Sequence, residues 1–113
     1  MPDFGPEQSV HEIVEKWFDG EHTMFDAVHD EPEHAWSAIL QILARGLTDE
    51  QLSLLAAGPL ESLLSIHGSQ FIDRVENEAK HNPSFNHLLG GVWQNLMSQE
   101  IWERVQKARK KVW

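Results

Sequence analysis

Apolar residues recur at helical spacing along most of this chain. Val10, Ile13, Val14, Trp17 and Phe18 fall at i, i+3, i+4, i+7 and i+8, one stripe of a helix that Pro6 opens and Gly20 closes. His11, Glu12, Glu15, Lys16 and Asp19 lie off that stripe and are expected in water. Met24, Phe25 and Val28 predict a short helix between Glu21 and Glu31. A third helix runs from Pro32 to Arg45 through Trp36, Ile39, Leu40 and Leu43, with acids loading its first turn and Gly46 ending it.

The next start is the most explicit. Thr48-Asp49-Glu50-Gln51 is a capping box, and Leu47 is placed to staple against Leu52 across it. Gly58-Pro59 then predicts a stop and restart, with Leu60, Leu63 and Leu64 on the new stripe and Glu61 at its third helical position. Gly68 predicts a second break, Ser69 a cap, and Phe71, Ile72, Val75 and Ala79 the face of the helix that follows. Asn82-Pro83 restarts the chain into Phe85, Leu88, Leu89, Val92 and Trp93, a stripe that Gly90-Gly91 interrupts. Either the helix ends at those glycines or two backbones approach closely there. Ser98 caps a last helix carrying Ile101, Trp102, Val105 and Ala108 inward, with residues 104–113 as its basic end.

No strand-like alternation of useful length interrupts this pattern. The fold class is all-α: six or seven short helices in a compact array, an irregular bundle or a short HEAT-like stack. At 113 residues the chain suits one domain, preceded by a flexible lead over residues 1–5, and buries about 65% of its unfolded surface. Four of the five tryptophans (Trp17, Trp36, Trp93, Trp102) lie on apolar stripes and are expected in the core; Trp113 is the exception.

Composition narrows the chemistry. With no cysteine, disulfide and thiolate chemistry are excluded. No apolar run of membrane-spanning length and no signal-peptide pattern is present, so the expected location is cytoplasmic and no membrane partner is expected. All 18 acids lie between Asp3 and Glu103, against only four bases before Arg104, a charge of −14; the last ten residues carry five bases and no acid. Such a body repels nucleic acid and attracts a basic protein surface. Asp26, Asp30, Glu31 and Glu33 form the densest acidic candidate for partner binding.

Seven histidines among these carboxylates raise a metal alternative. Glu31-x-x-His34 and Glu78-x-x-His81 each place two ligands on one helical face, with Glu61 and Glu100 as nominal further carboxylates for a di-metal site. His29-Asp30 with His11 or His22 and with Asp73 resembles a hydrolase set in which a metal activates water. Both pairs of the first set flank prolines at helix ends, so no metal, cofactor or catalytic residue is assigned.

Blocks of the sequence also carry a resemblance. AWSAILQIL (Ala35 to Leu43), GPLESLLSIHG (Gly58 to Gly68), FIDRVE (Phe71 to Glu76), NPSF (Asn82 to Phe85), LLGGVW (Leu88 to Trp93) and IWERV (Ile101 to Val105) resemble, in order, a family of small bacterial domains of unknown function. Ser62 stands where that family's pattern has an acid, and His81 where it more often has a base. The resemblance implies no activity but singles out Glu61, His67, Asp73 and Glu76 as polar motif positions. Helix-end chemistry predicts that Glu61 bonds free N–H groups of its own helix and that His67 bonds a carbonyl. Together these readings describe a small acidic, non-enzymatic interaction domain, of inhibitor or immunity type, whose partner is basic; a metal-dependent hydrolase or di-metal protein is the alternative.

Overall fold

The computed structural model describes residues 6–113; the lead over residues 1–5 lies outside them. The described residues form seven α-helices: α1 Pro6–Phe18, α2 Thr23–Asp30, α3 Pro32–Ala44, α4 Asp49–Leu55, α5 Glu61–His81, α6 Pro83–Leu89 and α7 Gln99–Ala108. The fold is all-α, and no strand occurs among the described residues. Gly20 and Gly46 take positive φ (81° and 77°) at the exits of α1 and α3, a conformation that costs glycine no side-chain clash. The capping box forms as the sequence predicts: Thr48 Oγ1 accepts from the Gln51 N–H, and the Gln51 side chain accepts from the Thr48 N–H.

Long α5 is central, touching α2, α3, α6 and α7, while α1 packs on α2 and α3. A core that reaches across the molecule in this way differs from a stack in which each hairpin meets only its neighbours. Trp36 of α3 anchors the centre: its ring lies 5.5 Å, edge-on, from Phe85 of α6 and 6.0 Å from Phe71 of α5. The buried apolar residues of all seven helices form one cluster.

Of two predicted breaks, one is absent and the other is present as a kink. From Asp49 to His81 the chain keeps a helical path, joined at Ala56–Leu60 by one wide turn in which the Glu61 N–H reaches back to the Ala56 carbonyl. Proline lacks an N–H and its ring crowds the carbonyl four residues back, so widening the turn seats Pro59 without stopping the helix. The break predicted at Gly68 falls one residue earlier, as a kink: His67 leaves helical geometry (φ −122°, ψ 28°), and the helix resumes beyond it without a cap from Ser69. Gly68 is also where α7 packs tightly on α5, since a Cβ there would lie 3.1 Å from two carbons of Ile101.

The C-terminal expectation also needs correcting. Helix α7 ends at Ala108, and residues 109–113 fold back as non-helical chain rather than continuing as its basic end. Trp93, expected in the core, is 60% exposed while Val92 is buried. The α6 helix has ended by then, so helical periodicity no longer governs which side chain points inward.

Candidate functional site

The polar motif residues meet one another or the backbone. Glu61 opens α5 and is only 9% exposed. Rather than bonding N–H groups of its own helix, its Oε1 accepts from the Trp93 N–H at 2.8 Å and its Oε2 from Asn95 Nδ2 at 3.2 Å. A buried carboxylate is tolerated where its oxygens find donors. Here the donors come from the loop joining α6 to α7, and Glu61 fixes that loop. Asn95 stands at φ 47°, in the left-handed region that asparagine tolerates better than most residues. The loop holds Val92 and Met97 in the core while Trp93 and Leu96 face solvent, Leu96 at 80% exposure.

His67 bonds a carbonyl as predicted, but one in another helix. Its Nε2 lies 2.9 Å from the Val28 oxygen, in the last turn of α2, where carbonyls lack helical partners. The kink at His67 therefore coincides with the point where α5 ties down α2. Asp73 and Glu76 converge on one cation: Arg104 of α7 donates through Nη2 to Asp73 at 2.6 Å and through Nε to Glu76 at 3.0 Å. This fork raises the Arg104 pKa above its ordinary value, chiefly through the Glu76 bond and then the Asp73 bond. All four motif residues thus tie one part of the chain to another: Glu61 joins its block to LLGGVW, Asp73 and Glu76 join theirs to IWERV, and His67 reaches Val28, outside the blocks.

The acidic candidates separate. Glu33 is claimed by Arg74, which grips it through both terminal nitrogens and stacks over Phe71 with its guanidinium carbon 5.0 Å from the ring centre. That hydrogen bonding lowers the Glu33 pKa. Glu78, four residues on from Arg74, accepts from Asn82 Nδ2 at 2.9 Å. Asp26, Asp30 and Glu31 are exposed, and Asp26 and Asp30 make no ion pair among the described residues. Phe25 beside them is 55% exposed and stacks on His29, ring centres 5.2 Å apart.

The histidine sets are dispersed into helix-end contacts. His34 Nδ1 lies 2.8 Å from Glu31 Oε2, close enough for an ion pair but misaligned for a hydrogen bond. His29 and His81 each place Nδ1 2.9 Å from the carbonyl four residues back. Among the described residues no group of three or more His, Asp or Glu that could hold a metal ion is found.

A second construction was not read from the sequence. Buried Asn86 of α6 donates to the carbonyls of Ala79 (3.1 Å) and Ala108 (3.0 Å), the last turns of α5 and α7, and accepts from the Lys110 N–H at 2.9 Å. Arg109 donates to the Val92 carbonyl at 2.9 Å and lies over the Trp102 ring, and its burial lowers its pKa. Trp113 donates from its backbone to Gly90 (3.1 Å) and from Nε1 to the His87 carbonyl (2.7 Å). Its ring and the Lys111 carbonyl occupy the space a Cβ would need at Gly90 and Gly91. Both alternatives for the glycine pair hold: the helix ends there, and another backbone approaches. A buried asparagine among leucines at helical spacing was the one available signal.

What the fold and these ties define is a small all-α domain whose motif residues are scaffold. The chain belongs to a family of unknown function, DUF6869, which it matches over residues 6–113. No curated protein and no solved structure matches it. Among the described residues no helix is long and apolar enough to cross a membrane.

Proposed function

We propose that this protein is a cytoplasmic, non-enzymatic interaction domain, of inhibitor or immunity type, that binds a partner protein through a basic surface on that partner. The observation that carries the reading is the outer face of α2. Phe25, Asp26, His29 and Asp30 are all exposed there, with Glu31 just beyond the helix end. An aromatic face flanked by carboxylates suits a lysine or arginine, which gains about 0.5–2 kcal/mol from the ring in addition to the ionic attraction. Glu33 falls outside the binding set because Arg74 already neutralises it. The motif residues support the reading indirectly, since their polar atoms are spent on holding the helices together.

Fluorescence anisotropy with arginine- and lysine-rich peptides, compared with acidic peptides of equal length, tests this. Saturable binding of basic peptides should weaken about tenfold or more in the Asp26→Lys/Asp30→Lys variant, because reversed charges repel where the originals attracted. Phe25→Ala should weaken it as well. Equal affinity in the reversed variant would reject the α2 face as the site.

A further inference from the structure

Four of the nine basic residues (Lys16, Arg45, Arg74, Arg104) are paired with carboxylates. Arg109 is spent on backbone carbonyls. The remaining four, Lys80, Lys107, Lys110 and Lys111, form no ion pair among the described residues, although the chain carries twice as many acids as bases. All four are exposed and line two adjoining recesses of about 720 and 220 Å³ that share Ala79, Lys80, Asn86 and Lys110. They come from three places in the chain: the last turn of α5, the last turn of α7 and the folded-back tail. Glu76 is the carboxylate among the lining residues, and Arg104 occupies it.

We infer that this groove binds a small, multiply charged anion of the phosphate class. The larger recess gathers Lys80, Lys107 and Lys110 and the smaller Lys80, Lys110 and Lys111; such gathering of ammonium groups is unfavourable through mutual repulsion, and an anion seated among them relieves it. The groove is also held in place, because Asn86 fixes the backbone at Lys110 and joins the ends of α5 and α7 that carry Lys80 and Lys107. Lysine binds phosphate as a point charge and needs no planar match. The recess has the size of a ligand site rather than a track. A long nucleic acid would have to continue over a molecule whose 18 acids outnumber its nine bases, whereas a compact anion meets only the lysines.

The test titrates the whole protein with tripolyphosphate, pyrophosphate and inorganic phosphate at matched ionic strength, read by thermal shift and by calorimetry. Saturable stabilisation that strengthens from phosphate to tripolyphosphate is expected. Affinity for tripolyphosphate should fall about tenfold in Lys80→Ala/Lys107→Ala and in Lys110→Ala/Lys111→Ala, and stay unchanged in Lys16→Ala. Two independent double variants guard against a folding defect in either. The proposal is overturned by non-saturable stabilisation, by affinity unchanged from the parent protein in both double variants, or by an oligonucleotide or oligoglutamate peptide that binds more tightly than tripolyphosphate.

Discussion

Glu61 shows how a single side chain can connect distant parts of a sequence. Its two oxygens accept from a backbone and a side-chain donor more than 30 residues away, so removing them leaves a part-buried Trp93 N–H without a partner. Glu61→Ala should cost about 1–3 kcal/mol in denaturant unfolding and speed hydrogen exchange at Trp93. Glu61→Gln keeps one acceptor and should cost less. If Trp93 exchanged at the same rate in all three proteins, the loop would owe nothing to Glu61. Asn86 makes a parallel case with a different readout. Asn86→Ala strips partners from two carbonyls and the Lys110 N–H, and should release the tail. Limited proteolysis should then cut near Lys110 and Lys111 while Trp36 stays buried.

At the scale of elements, two glycines between Asp49 and His81 should answer oppositely to substitution. Gly58, in the wide turn, has no atom within 4 Å of where a Cβ would stand. Gly58→Ala should therefore stabilise by about 0.4–1 kcal/mol by restricting the unfolded chain. Gly68 faces Ile101 at the α5–α7 crossing, and Gly68→Val should destabilise by about 1–3 kcal/mol as the helices are pushed apart. Equilibrium denaturation of both variants checks the pair; equal signs would contradict the crossing geometry.

For the molecule as a whole, exposed ion pairs tie one part of the chain to another: Glu15 of α1 to Arg45 after α3, and Glu33 of α3 to Arg74 of α5. Hydrogen bonding to the arginine lowers the pKa of each glutamate. Their folded values lie below the unfolded ones, so their contribution is complete above about pH 4.3 and is lost as pH falls through the folded values. Thermal melts taken from pH 7 to pH 3 should show that loss, smaller in Glu33→Gln and smaller at high salt, since exposed pairs are screened. An unchanged pH profile in the variant would mean the Glu33 pair contributes nothing.

Much of the architecture was legible because it depends on neighbours in sequence. Pro32, Pro83, Thr48 and Ser98 start helices through local backbone chemistry, and the apolar stripes of α1 and α3 fill the core as their spacing requires. The misread points are those where a local rule met a distant partner. Pro59 looks like a break, but a widened turn accommodates it; the break read at Gly68 is a kink at His67, and Gly68 itself takes a packing role against Ile101. Glu61 and His67 look like helix-end residues, yet a loop donor and another helix's carbonyl hold them. Asn86 and the tail it anchors depend on ends that meet only in three dimensions. The sequence by itself determined the helices, their caps and the acidic balance, because those follow from contacts within a turn or two. Tertiary structure alone decided which polar groups are satisfied internally and which lysines form no ion pair among the described residues, because that depends on which helix ends and loops pack together.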